Sequence, residues 1–281
     1  MGSDDDWILN SLVFDDTKVR EKLFMDTWNE IANVSDYNYK MSTGEYVEVI
    51  INDEYMGLYL LQRRLDKKYL ELSDEDVLLK VTNYQAENAK EAYELVTEVD
   101  DVEKIYLYMQ KIFEGSDCSG IDVNNLADVN NMLYLTNAID NTGLKNMYMV
   151  LVNENDKYKL FFVPWDTDLS LGLFWNWGIL YDYEHTMDYF NCRMETSAVE
   201  TINPQYVKIA EDRWNYLKKE ILSVEEIANK IDIYRDILES SGAIKRDKDR
   251  WGEQYNGKDN TENMKKYISD RFDMLEQYYC Q

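Results

Sequence analysis

The chain has 281 residues, 45% hydrophobic and 14% aromatic, enough apolar material for one large domain or two lobes and too much for overall disorder. Its formal charge of −25 argues against general nucleic-acid binding or contact with anionic membranes, and no run approaches the roughly 20 apolar residues that span a bilayer. One histidine, His185, and three scattered cysteines, Cys118, Cys192 and Cys280, show no zinc spacing or disulfide framework and give a Ser-His-Asp or Cys-His mechanism little to draw on.

The opening MGSDDDW carries no signal-peptide pattern, and Trp7 to Phe14 is short and apolar. Asp15 or Asp16 then caps a predicted helix from Thr17 to about Ile31, with Val19, Leu23, Phe24 and Trp28 on one side. Alternating runs from Tyr46 to Ile51 and Tyr55 to Gln62 flank Asn52-Asp53-Glu54 and predict a β-hairpin. Gly57, inside it, suits either a backbone that approaches phosphates closely or a bulge. Arg63 and Arg64 follow, one available to clamp phosphates and the other to pair with a nearby acid. Leu78 to Val81 reads as a strand carrying Lys80, on either of its faces.

From Ala86 to about Ala138 the pattern is helical, with Asp100 and Glu103 at capping-box spacing and a second helix from Asp122. NMYMVLV and KYKLFFVP, separated by NEND, form a second predicted hairpin. Its outer ends hold Asp140, Asn141 and Asn146 on one side and Asp166 and Asp168 on the other. Closing the hairpin brings Asp140, Asn146 and Asp166 together, an oxygen-ligand set suited to a hard divalent cation and the phosphates it carries. After Gly172 the chain is tyrosine-rich and irregular to about Asn203, with Trp175 and Trp177 suited to core or lobe-interface packing. Helices are predicted over Pro204–Leu222, Val224–Ser240 and Thr261–Tyr279. GAIKRDKDRWGEQYNGKDN reads as a polar connection anchored by Trp251.

A hairpin, then a strand lysine, then converging acids is the order of parts a phosphoryl-transfer enzyme uses. DDDWILNSLVFDDTKVREKL, YVEVIINDEYMGLYLLQRRLDKKYL, VLLK, DNTGLKNMYMV, FFVPWDTDLSLG and SSGAIKRDKDRWG together resemble the spore-coat protein H (CotH) family of atypical, protein-kinase-like enzymes. The resemblance covers nearly the whole chain. It implies an α+β, two-lobed domain over residues 1–281, with a strand-rich N-terminal lobe to about residue 85 and a helical C-terminal lobe from about residue 86. The family's usual strands ahead of DDDW are absent from this sequence.

It further implies metal-dependent transfer of phosphate from ATP, with Mg²⁺ or Mn²⁺, to serine in a protein substrate, and a spore-coat or cell-surface setting. On this resemblance Asp140 takes the catalytic-loop position, Asn146 and Asp166 the metal positions with Asp168 beside them, and Lys80 the nucleotide-binding position; Arg64 and Gly57 are further nucleotide-site candidates. The family spacing puts the catalytic aspartate five residues before the asparagine, where this chain has Asn141, so Asp140 acts only if one extra residue is absorbed, for which Gly143 is suited. The acidity reads first as solubility and second as attraction for a basic, serine-rich substrate. Two other readings use the same residues: a metal-dependent glycosyltransferase built on DTD, and a non-catalytic nucleotide-binding or surface-interaction module.

Overall fold

The computed structural model describes residues 6–142, 145–155, 157–175, 179–181, 196–255, 257 and 259–280. Strand β1 (Trp7–Asn10) pairs antiparallel with β3 (Glu54–Arg63), whose other edge pairs with β2 (Gly44–Ile51), giving the order β1-β3-β2. The expected β2–β3 hairpin forms. Asn52 and Asp53 close it at φ of 52° and 63°, values that short polar side chains tolerate and a tight hairpin turn requires. Between β1 and β2 lies helix α1 (Arg20–Asn33). Asp15 starts it by accepting hydrogen bonds from the Val19 and Arg20 amides at 2.9 and 2.8 Å, donors that a helix leaves unpaired at its first turn.

Strand β4 (Val77–Val81) joins a second sheet of order β5-β4-β6-β7, with β5 (Tyr93–Leu95), β6 (Met147–Glu154) and β7 (Lys157–Pro164). The helical reading from Ala86 onward fails at its start. Helix α2 (Ala89–Ala92) lasts one turn, and Tyr93, buried at the sheet edge, draws the next residues into a strand. Helix α3 (Val102–Phe113) is capped by Asp101, not Asp100, through the Lys104 amide at 3.0 Å. Helix α4 (Val123–Thr136) is capped by Asp122 through the Asn125 amide at 2.8 Å. A two-stranded pair, β8 (Leu173–Trp175) and β9 (Ile179–Tyr181), follows.

The remainder is helical: α5 (Ser197–Ile202), α6 (Tyr206–Glu220), α7 (Val224–Ser240), α8 (Ala243–Trp251) and α9 (Thr261–Tyr279). Helix α5 falls where an irregular stretch was expected. Ser223 caps α7 as expected, accepting the Glu226 amide at 3.0 Å. Helix α8 replaces the expected polar connection. Its charged composition hides one contact face on which Ala243, Ile244 and Asp247 are buried and Trp251 half-buried. That face lies on β3: Asp247 accepts the Leu58 amide at 2.7 Å, and the Trp251 indole donates to the Met56 carbonyl at 2.9 Å. Of the two readings of Gly57, the bulge is the one seen: its partner is Val49 while Ile50 pairs with Tyr55, so the β2–β3 ladder shifts register there. At φ 124°, a Cβ there would sit 2.7 Å from Asp247 Oδ1 and 2.8 Å from Trp251 Nε1, so its close approach is to α8.

The architecture is α+β, as expected, consistent with two lobes: antiparallel sheets early in the chain and helices around and after them. One large core joins α1, the second sheet, α4, α6 and α9. A small second cluster, Leu58 with Leu238, Ala243 and Ile244, seals α7 and α8 onto the first sheet.

Candidate functional site

The β6–β7 hairpin brings its outer ends together where the loop after α4 meets the loop after β7. Asn137 ends α4 in a left-handed conformation, φ 50°. The Ile139 amide then donates to the Leu169 carbonyl at 3.0 Å, and the Leu171 amide to the Thr136 carbonyl at 2.7 Å, so the two loops run side by side.

Asn141 is fully buried between them. Its Nδ2 donates to the Asn146 carbonyl at 3.1 Å and the Trp165 carbonyl at 2.9 Å, tying the start of β6 to the end of β7. Asp140 turns the other way. Its side chain is one-third exposed, forms an ion pair with Lys145, and accepts Nδ2 of Asn146 at 3.1 Å. The residue that the family spacing puts at the catalytic position is thus a brace, while the carboxylate one step earlier is partly open to solvent. Gly143, where the extra residue was expected to be absorbed, lies outside the described residues.

Asn146 and Asp166 both sit in the left-handed region, at φ 52° and 55°. Nδ2 of Asn146 also reaches the Asp166 carbonyl at 3.4 Å, which leaves its carboxamide oxygen as the atom to meet a cation. From behind, the first turn of α1 grips the same loop. Glu21 accepts the amide and hydroxyl of Thr167 at 2.7 and 2.9 Å, and its second oxygen accepts Gln62 Nε2 at 3.1 Å. Arg20 donates to the carbonyls of Ser170 and Leu171 at 2.7 and 3.0 Å and pairs with Asp15 and Asp259.

Carboxylates outnumber cations here. Burial raises the Asp166 carboxyl, and the charge of Asp140 adds to this against the pull of Lys80 and Lys145. Asp168 is pushed up to about 8 by burial, then by Glu21, Asp166 and Asp15. Burial also raises Glu21 in spite of its bonds from Thr167. Among the described residues, no group of three or more His, Cys, Asp or Glu is already arranged around a metal position. The oxygen groups that could hold a cation here are the carboxylates of Asp166 and Asp168, with the carboxamide of Asn146. Oxygen donors carrying uncompensated negative charge fit a hard divalent cation.

Lys80 comes to the same place. It stands opposite Tyr148 in the ladder, with Nζ 4.4 Å from the centre of the Trp165 ring and 5.5 Å from that of Tyr148. Arg64 is half exposed and pairs with Asp6 at 3.1 Å, near enough to Tyr148 for its charge to oppose the rise that burial causes in that hydroxyl. Arg63 stacks on Tyr69, 4.7 Å from its ring centre. Trp177, His185 and Cys192 lie outside the described residues, as does the side chain of Trp175.

Two residues of this site escaped sequence reasoning. Lys145 sits in a loop with no periodic or motif signal, yet it pairs with Asp140 and lies 5.0 Å over the Tyr84 ring. Glu21 had one signal: a charged Arg-Glu pair directly after Val19, on the face that Leu23 and Phe24 continue into the core. A family model described as CotH kinase protein matches residues 1–275 of the chain. No curated protein matches it.

Proposed function

The chain belongs to the CotH kinase family, and from that premise we propose that it transfers the γ-phosphate of ATP to serine hydroxyls of a protein substrate. The observation that supports this reading is the meeting of Asp140, Asn146, Asp166 and Asp168 with Lys80 and Lys145 at one end of a hairpin.

Asp166, Asp168 and the carboxamide oxygen of Asn146 would hold Mg²⁺ or Mn²⁺, whose charge offsets the negative charge building on the phosphate oxygens. Lys80, fixed over Trp165, supplies a cation to the phosphates, and Arg64 adds a second at the exposed rim. Asp140 orients the serine hydroxyl. As the serine oxygen bonds to the γ-phosphorus and the bond to the ADP oxygen breaks, the hydroxyl proton passes to the Asp140 carboxylate. Lys145, paired with Asp140 before substrate arrives, moves to the transferring phosphate when the hydroxyl takes its place. Behind them, Arg20 and Glu21 keep the 166–171 loop from shifting, which positioning chemistry of this kind requires. The charge of −25 suits a basic, serine-rich substrate.

The test is transfer of label from γ-labelled ATP with Mg²⁺ or Mn²⁺ to a basic serine-containing protein or to the chain itself. Asp166→Ala is expected to abolish labelling, with its melting temperature recorded alongside. Labelling that survives this substitution unchanged overturns the assignment.

A further inference from the structure

Around the end of the second sheet, where β4 runs out at Val81, lies a groove of about 390 Å³. Its floor is apolar: Val81, Ile112, Cys118, Leu126, Phe162 and Val199 line it, and all six are buried. Tyr84 closes the end nearest the candidate site; it is 60% exposed, and its ring lies beneath Nζ of Lys145, the partner of Asp140. The Tyr84 ring and the Lys145 ammonium thus link the groove to the carboxylate assigned to the substrate hydroxyl.

We propose that this groove receives an apolar side chain of the protein substrate, carried within two or three residues of the acceptor serine. The proposal rests on the kinase reading and adds a determinant of substrate choice to it. The nucleotide is not the occupant. Lys80 and Val81 are consecutive on β4, so their side chains take opposite faces of the sheet, Lys80 toward Trp165 and Val81 toward the groove. Among the described residues lining the groove there is no lysine or arginine to meet a phosphate or carboxylate, whereas Glu114 stands at its rim. That charge favours a substrate whose apolar residue has basic neighbours. The volume suits one or two large side chains. In an extended peptide, which rises about 3.3 Å per residue with alternate side chains on one face, a residue two places from the serine reaches a cleft adjoining the serine's own.

Two synthetic peptides test this, identical in a basic sequence around one serine and differing only in Leu or Ala two places before and after it. The Leu peptide is expected to have kcat/KM about tenfold higher, mainly through KM, the discrimination that filling an apolar pocket provides. Ala198→Phe, which narrows the groove from α5, should erase that difference while leaving the KM for ATP as it was. Without any substitution, saturating Leu peptide should slow alkylation of Cys118 by iodoacetamide several-fold, read by mass spectrometry, and the Ala peptide should not. Equal kcat/KM for both peptides with Cys118 unprotected overturns the groove assignment and leaves the kinase reading standing. Absence of any ATP-dependent labelling, of the peptides or of the chain, overturns both.

Discussion

Asp140 and Asn141 are adjacent, yet one is partly open to solvent and the other is buried against backbone. Asn141 is suited to its place because an amide donates two hydrogen bonds, and two carbonyls, of Asn146 and Trp165, converge there. A carboxylate in that position would meet both carbonyls with like partial charge and no water. Asn141→Asp is therefore expected to cost about 2–4 kcal/mol of stability without adding activity. Asp140→Asn keeps an acceptor for Asn146 but removes the charge and the proton site. It should lower kcat by about 100-fold or more while the melting temperature stays near that of the parent. The double variant, which swaps the two side chains, decides which residue acts. Recovery of activity in it would place the catalytic carboxylate at position 141, and loss of both stability and activity is the expected result. Melting curves and steady-state rates on the three proteins give the answer.

At the scale of elements, the N-terminal hairpin is held by α8 and the acidic loop by α1. Gly57 makes the first arrangement possible, and Gly57→Ala should destabilise the protein by about 1–3 kcal/mol, since it forces a side chain into φ 124° and against Asp247. Denaturant unfolding measures this, and a neutral result would mean that α8 can shift away from β3. The same pair of contacts explains what was legible in the sequence. Hairpins were readable because alternation and turn residues are local, and so were α1, α4, α7 and α9, whose caps and apolar spacing are local too. Helix α8 was not, because Asp247 and Trp251 bond to residues of β3 nearly two hundred positions earlier, and only in that contact do they read as a buried face. Strand β5 was lost for the same reason, its pairing to β4 outweighing a helix-like local pattern. Within the candidate site, Asn146, Asp166 and Lys80 were singled out from spacing and resemblance, and the structure brings them near one another. Lys145 and Glu21 were missed, since their partners, Asp140 and Thr167, are set by loop geometry and not by periodicity.

For the whole molecule, the acidity divides into a surface part and a buried part that respond differently to pH. Exposed carboxylates are ionised well below pH 6, so the surface charge changes little above that. The buried acids behave otherwise. Asp168 has a folded-state value pushed up to about 8, above its value of about 4 in the unfolded chain, with Asp166 and Glu21 raised in the same direction. A carboxyl raised in this way stabilises the fold fully below its unfolded value, and the contribution is lost as pH rises through the folded one. The metal-free protein should therefore lose stability between pH 6 and 8.5, on the order of a few kcal/mol or several degrees in melting temperature. Asp168→Asn removes one of these titrating carboxyls and should make that decline shallower. A divalent cation acts on the same charges, because it binds the ionised carboxylates and so stabilises most where they are costliest to expose to one another. Mg²⁺ at millimolar concentration should raise the melting temperature more at pH 8 than at pH 6, and the pH-dependent part of that gain should shrink in Asp168→Asn. Calorimetry of the two proteins, each with and without Mg²⁺ at both pH values, separates the outcomes. A parent protein whose stability is flat from pH 6 to 8.5 would show that the crowded carboxylates are already compensated, and would remove the electrostatic case for a cation between Asp166 and Asp168.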